Sequence, residues 1–370
     1  MNFELSDEQV FLQEAARGAL SRHKTVENAR EALEGSERLD LSRTVIEAGW
    51  PGLLISEEHG GAGLSALESM LVMAECGRVL APVNLLGLLP ATALLDADGS
   101  HADLLARLAE GEVRATFVAA RPPDSLEEGW TVEPRRGSQR APAPRFAEGK
   151  LSGDVAWVPD APGAGVLVVA ATGEEGPVAV LVQDGAAVEE VIRYDATRSL
   201  GHVSLDGTLG TALDVSEHEL AAAWYLAQGL VAAEALGAVE ECLGRSVAYA
   251  KERFTFGRAI GSYQAVKHAL VEVLRRLENT RSLIYYAGWS FRDAPEEFPL
   301  AASAARTAAG SAFDYAAREL ISVHGGIGAT WEHDAPLYFR RSQLSRRLLG
   351  GTGDASDRVA DVLLAGAAKL

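Results

Sequence analysis

Cysteine is nearly absent: the 370 residues hold two, Cys76 and Cys242, and no Cys-x-x-Cys pair. Neither a disulfide framework nor a thiolate metal site can be read from them. Basic residues are in deficit, with 34 Lys and Arg against 52 Asp and Glu and a net charge of −18. Phosphate polymers and anionic lipid are therefore repelled, which speaks against a nucleic-acid or membrane-surface partner. A small phosphorylated ligand in a local basic pocket stays compatible with that charge. Long hydrophobic runs are also missing. The longest, Tyr225 to Gly237, is interrupted by Gln228 and Glu234 and is too short to span a bilayer. The start has neither the basic region nor the apolar core of a signal peptide, so a soluble, cytoplasmic protein is expected. What remains, 48% hydrophobic and 23% charged residues, is the composition of an ordinary globular chain long enough for two or three domains.

The texture changes twice along the chain. To about Leu108 it is helical: Ser6 with Gln9 makes a capping box, followed by Val10, Leu12, Ala15 and Leu20 at roughly helical spacing. After a break at Gly49-Trp-Pro-Gly52 and the loop His59-Gly-Gly-Ala-Gly63, Ser65 caps a second helix with Leu67, Met70, Leu71 and Ala74 on its apolar face. Shorter helices are expected at Pro90–Leu95 and His101–Leu108. From Val113 to Leu213 short β-branched runs bounded by Gly, Pro or Asp read as an antiparallel sheet, because no helix-length crossover separates them. Arg121 to Gly149, rich in Pro, Arg, Glu and Ser, reads as a long, poorly packed loop. Ser216 with Glu219 then opens a helix running to about Arg253. Further helices follow near Ser262–Arg292, Leu300–Val323 and Asp354–Ala367. The fold expected is α+β: an N-terminal α-helical domain (1–112), a middle antiparallel β-sheet domain (113–214) and a C-terminal four-helix bundle (215–370).

Several chemical motifs fail on their context. Gly61-x-Gly63-x-x-Ala66 has the spacing of a dinucleotide fingerprint, but Ser56-Glu-Glu-His59 before it is no strand and no βαβ unit follows. His101, His202 and His218 are isolated, without metal-ligand spacing, and there is no Gly-x-Ser-x-Gly elbow. The informative segment is Lys251-Glu-Arg-Phe-Thr-Phe-Gly-Arg-Ala-Ile-Gly-Ser-Tyr-Gln-Ala-Val-Lys-His268. It is a helix end, a turn carrying Arg253, Phe256 and Arg258, and a new helix with Gln264 in its first turn. A helix N-terminus beside arginines is a natural phosphate site, and an aromatic next to it can flank a flat ring. A plain helix cap with surface arginines accounts for the same residues about as well.

This segment resembles the Arg-x-x-Phe-Gly…Ile…Phe-Gln…His signature of the acyl-CoA dehydrogenase family, with Tyr263 where Phe is usual. His324-Gly-Gly-Ile-Gly328, Thr330-Trp-Glu-His-Asp334 with Tyr338-Phe-Arg-Arg341, Phe3-x-Leu-Ser-Asp-Glu-Gln9 and Gly60-Gly-Ala-Gly-Leu-Ser65 are also family-like and in the right order. The resemblance implies an FAD enzyme that desaturates an acyl-CoA thioester. A carboxylate takes the α proton while the β hydrogen leaves as hydride to the flavin. It also implies that Arg253, Phe256, Gln264, Gly325 and Gly326 reach the FAD of a neighbouring subunit, and Thr352 is counted among the cofactor contacts. Electron-transfer flavoprotein is the acceptor the family suggests.

Three departures qualify what the resemblance implies. Where many members carry the base in Glu-Gly-Thr, this chain has Gly350-Gly351-Thr352, so no catalytic residue is assigned. Where others place it on the first long bundle helix stands Ala227; Glu234, seven residues on, lies two turns away. The Thr-Glu-Pro…Gly-Ser-Asp loop that beds the flavin of the same subunit is missing from Ala120-Arg-Pro-Pro-Asp-Ser125 onward, and Lys-x-Trp-Ile-Thr/Ser is reduced to Val155-Ala-Trp-Val-Pro159. The chain thus resembles the β-type partner subunits of bacterial α2β2 members acting on steroid side-chain CoA thioesters. Two alternatives stand beside this: a homo-oligomeric dehydrogenase using Glu234 as base, and a flavin-free scaffold.

Overall fold

The computed structural model describes residues 4–123, 129–132, 134, 139–191 and 194–367. Phe3 of the N-terminal motif and Asp124 and Ser125 of the altered sheet loop lie outside the described residues. The N-terminal part is helical: α1 (Asp7–Leu20), α2 (Thr25–Leu33), α3 (Ser42–Glu47), α4 (Ala66–Arg78), α5 (Leu85–Asp98) and α6 (Ala102–Ala109). The capping boxes form as read. Ser6 accepts from the Gln9 amide at 3.3 Å while Gln9 returns a bond at 3.0 Å, and the Ser65 amide donates to Glu68 at 3.0 Å. Helix α5 begins at Leu85, five residues before Pro90, where the sequence suggests a start. Its N-terminus is capped from far away: the Gly87 N–H donates to the buried Asp160 carboxylate at 2.8 Å.

The middle part contributes β1 (Ala115–Val118), β2 (Thr131–Val132), β3 (Arg140–Ala141), β4 (Arg145–Ala147), β5 (Lys150–Pro159), β6 (Val166–Thr172), β7 (Pro177–Val182), β8 (Ala187–Glu190), β9 (Leu200–Leu209) and β10 (Thr211–Ala212). The main sheet runs β10-β7-β6-β4-β5-β9-β8, with β1 also on β6. Most pairs are antiparallel, as expected, but β1 runs parallel to β6, Ala115 facing Val166. The chain between them makes the return that parallel pairing needs using strands instead of a helix. The expected loop over Arg121–Gly149 is a correction: among its described residues are the antiparallel pair β2 and β3, β4 and a fully buried Trp130 whose indole donates to the Pro122 carbonyl at 3.0 Å.

The last part holds α7 (Glu217–Glu252), the hairpin β11 (Phe254–Thr255) and β12 (Arg258–Ala259), α8 (Gln264–Asp293), α9 (Phe298–His324), α10 (Ala335–Ser345) and α11 (Gly351–Ala367). Helices α7, α8, α9 and α11 are those anticipated; the short α10 was not. Helix α7 has the length and apolarity of a membrane span, yet 94% of that stretch is buried within the fold. It is the central rod. Against α4 it packs backbone to backbone through two reciprocal glycines. A Cβ on Gly237 would lie 1.7 Å from the Ala74 carbonyl, and one on Gly77 1.8 Å from that of Glu234.

Candidate functional site

Five of the six expected cofactor contacts gather at one end of the bundle, where α7 ends, α8 begins and α9 ends. Arg253 caps α7 and is exposed. The next residues form a two-residue hairpin whose turn is Phe256 at φ +50° and Gly257 at φ +77°. Positive φ at both positions defines a type I′ turn, which favours Asn-Gly. A phenylalanine there costs on the order of 1–3 kcal/mol, and its ring is 95% exposed. Neither folding nor burial explains it. Tyr263, in place of the family's Phe, braces the hairpin: its hydroxyl donates to the Thr255 carbonyl at 3.2 Å and Arg258 lies 4.0 Å over its ring. Gln264 opens the 30-residue α8 with no side-chain cap, so the first backbone N–H groups face outward.

The glycine turn closes the same end. His324 stacks on Tyr249 of α7 at 4.2 Å and tilts against His333 at 4.2 Å. Gly325 is required by its φ of +63°, and Gly328 because a Cβ would meet the Ile321 carbonyl at 2.6 Å. Gly326 has neither requirement, and beside both Gly325 and Gly326 an added Cβ would meet open space. The backbone here is bare toward the outside. An exposed arginine, outward helix N–H groups, an exposed aromatic and a bare glycine backbone suit a phosphate-bearing, flat-ringed cofactor such as FAD.

Thr352, the sixth, lies elsewhere. It is half-buried, its methyl packed onto Gly310 of α9, where a Cβ would clash at 2.2 Å. It directly follows the turn 349–351, whose residues all have positive φ. That turn is pinned from beneath: Arg306 donates to the carbonyls of Ser345 and Leu348, and Gln228 to that of Leu349 at 2.8 Å. Arg306 is fully buried, and burial with the nearby Arg198 charge pushes its pKa down to about 9. Above Gly350 stand three side chains. A Cβ would sit 3.1 Å from Asp354, 3.7 Å from Trp224 and 3.8 Å from Arg121. Arg121 and Asp354 pair at 3.3 Å, joining the sheet to α11. Arg358 covers Trp224 at 4.8 Å, and Ala227 is buried beyond. Beside this turn a cleft of about 660 Å³ runs between Trp157 and Tyr194 on the sheet side and Arg340, Leu344 and Arg347 on the helix side. Trp157 sits in a bulge of β5 at φ +63°, edge-on to His202.

Glu234 is 2% exposed. One carboxylate oxygen binds Arg198, the other Arg341, and Arg341 also binds Asp195. Burial works against the Arg341 charge, but Asp195 and Glu234 more than offset it and raise its pKa. Asp195 is held below its ordinary value, Arg341 and Arg198 outweighing the effect of burial. This cluster ties the sheet segment 195–198 to α7 and α10. The sequence held one signal of it, polar residues interrupting an apolar helix; the partners, 36 and 107 residues away, could not be guessed. Among the described residues no group of three His, Cys, Asp or Glu is placed to hold a metal ion.

Trp224 at the closed turn and Arg253 at the open end are 29 residues apart on one helix, about 44 Å at 1.5 Å per residue. The two regions therefore cannot meet within one chain. Helices, then sheet, then a long-helix bundle is the order of the acyl-CoA dehydrogenase fold. The chain belongs to the acyl-CoA dehydrogenase family. Its residues 6–112 match the model for the acyl-CoA dehydrogenase N-terminal domain and residues 225–363 that for the C-terminal domain. It is 31% identical over 350 residues to acyl-CoA dehydrogenase IpdE2 of Mycolicibacterium smegmatis, covering 94% of this chain and 96% of that protein. To IpdE2 of Mycobacterium tuberculosis it is 33% identical, covering 93% of each. Among solved structures, the Tcur3481-Tcur3483 steroid ACAD superposes with a TM-score of 0.85 at 29% identity, over 98% of this chain and 99% of that one.

Proposed function

We propose that this chain is the partner subunit of a heteromeric, FAD-dependent acyl-CoA dehydrogenase. Its Arg253–Phe256 hairpin, Gln264, Gly325 and Gly326 serve the FAD of a second, homologous chain. Bound there, FAD supplies the hydride acceptor for α,β-desaturation of an acyl-CoA thioester. Arg253 and the α8 N–H groups would face phosphate, Phe256 would lie against a ring, and the bare glycines would admit the adenosine part. The observation that carries this is the separation of the open end from the turn at Gly350, about 44 Å along α7. A chain cannot fill its own site from that distance, and Gly350, with Asp354, Trp224 and Arg121 around it, offers no carboxylate of its own to act as base. Thr352 goes with that turn. The steroid ACAD likeness supports a bulky acyl group as substrate, and electron-transfer flavoprotein is the acceptor in this reading.

The alternative in which Glu234 is the base meets the buried clamp of Arg198 and Arg341, which leaves neither oxygen open to an α proton. The test is to purify the chain alone and co-expressed with a second acyl-CoA dehydrogenase-like chain, recording visible absorption and mass. A colourless chain that yields a yellow complex is expected, and Arg253→Ala removes flavin from that complex. A stoichiometric flavin band on a homo-oligomer of this chain overturns the reading. Full flavin occupancy with Arg253→Ala favours a scaffold.

A further inference from the structure

We propose that Asp334 is a positioning residue for the glycine turn, holding it between the N-terminal helices and the bundle. This rests on the reading above that the turn serves a partner chain's FAD. The loop from Thr330 to Asp334 leads directly from the turn into α10, and it is gripped from two sides. From α2, Arg30 donates to the Trp331 carbonyl at 3.1 Å and to that of Glu332 at 3.4 Å, and its guanidinium pairs with one oxygen of Asp334. Glu34, also near the end of α2, accepts from the Trp331 indole at 2.6 Å. From α7, Arg245 pairs with the other Asp334 oxygen at 2.6 Å. Asp334 is thus the one carboxylate that both arginines share, and it is the N-cap of α10.

The grip extends further. Arg245 pairs with Glu241 at 2.8 Å, Glu241 with Arg78 at 3.5 Å, Arg78 with Glu75 at 3.0 Å and Glu75 with Arg17 of α1 at 2.8 Å. An alternating row of charges therefore crosses α1, α4 and α7 and ends at the loop beside the turn. The outer, part-exposed pairs contribute roughly 0–1 kcal/mol each, and Glu75, 2% exposed, is the one buried member of the row. Their consequence is geometric. His324, before the turn, is fixed by its stack on Tyr249; Asp334, after it, is fixed by Arg30 and Arg245. With both flanks held, Gly325 and Gly326 keep their backbone aimed outward before any ligand arrives. Pre-set geometry of this kind lowers the ordering cost of binding.

The test uses the co-expressed complex and the FAD dissociation constant read from flavin fluorescence. Asp334→Asn keeps the shape and removes the charge; Arg30→Gln removes the α2 grip and serves if the first variant fails to fold. Each is expected to weaken FAD binding about ten-fold or more, the scale at which outer partners act on a ligand-holding group, with complex mass unchanged. Asp334→Glu is expected to recover part of the loss. Arg17→Gln, at the far end of the row, leaves FAD affinity as it was. Unchanged affinity in both Asp334→Asn and Arg30→Gln overturns the proposal, as does an equal loss from Arg17→Gln, which would mark the row as a stability device. A wild-type complex without flavin refutes the parent reading instead, and so separates the two failures.

Discussion

Replacing Glu234 by Gln separates a buried structural carboxylate from a catalytic one. The amide has nearly the same size, so the packing of α7 is kept. What is lost is the negative charge between Arg198 and Arg341, while the amide NH2 is turned toward one of two guanidinium groups. Both arginines are at most 7% exposed, so water cannot replace the lost partner. Breaking a buried ion pair from one side typically costs 3–5 kcal/mol. At about 2.1 cal/mol/K of unfolding entropy per residue, that corresponds to a fall in Tm of roughly 4–6 °C for a chain of this length. Thermal unfolding followed by circular dichroism on the chain alone measures it. The reasoning is refuted if Glu234→Gln melts with the wild type while a flavin-loaded preparation of this chain loses its dehydrogenase activity, for then Glu234 acts on substrate and is not a clamp.

Two more outcomes concern stability. Burial pushes the Asp160 carboxyl up from 3.8 to about 6, the Gly87 N–H only partly opposing it. Because the folded pKa is raised, the ionised group costs stability above pH 6, and that cost disappears as the pH falls through 6 toward 4. Asp160→Asn keeps an oxygen for Gly87 and tolerates the local φ of +60°. It is expected to gain up to about 3 kcal/mol at pH 7.5 and nothing near pH 4 in urea titrations; a gain independent of pH contradicts this. Gly237→Ala drives a methyl into the Ala74 carbonyl and forces α4 from α7, an overpacking cost of about 3 kcal/mol or more, read as a lower urea midpoint.

Much of the fold was legible because its signals are local. Ser6, Ser65 and Ser216 each cap a helix with a Gln or Glu three residues on, and those starts are where the sequence puts them. The residues proposed to reach a partner's FAD were legible for the same reason, being contained in two short segments, 253–264 and 324–328. What was not legible depends on partners distant in sequence. The start of α5 is set by Asp160, the parallel placing of β1 by β6, and the order in Arg121–Gly149 by the burial of Trp130. The turn at Gly350 was half visible: the sequence shows glycine where many members carry Glu, but only the fold shows Asp354 and Arg121 beside it. Thr352 was grouped with the other contacts from family likeness alone, and the length of α7 separates it from them.

Helix α7 is also a lever. The Arg198–Glu234–Arg341 clamp is its fulcrum, and the hairpin at Arg253 lies 19 residues further on, about 29 Å at 1.5 Å per residue. A tilt of about 2° at the fulcrum moves the hairpin tip by roughly 1 Å, a displacement on which catalytic rates can change a hundred-fold. Small repacking in the middle of this molecule is therefore magnified at its edge.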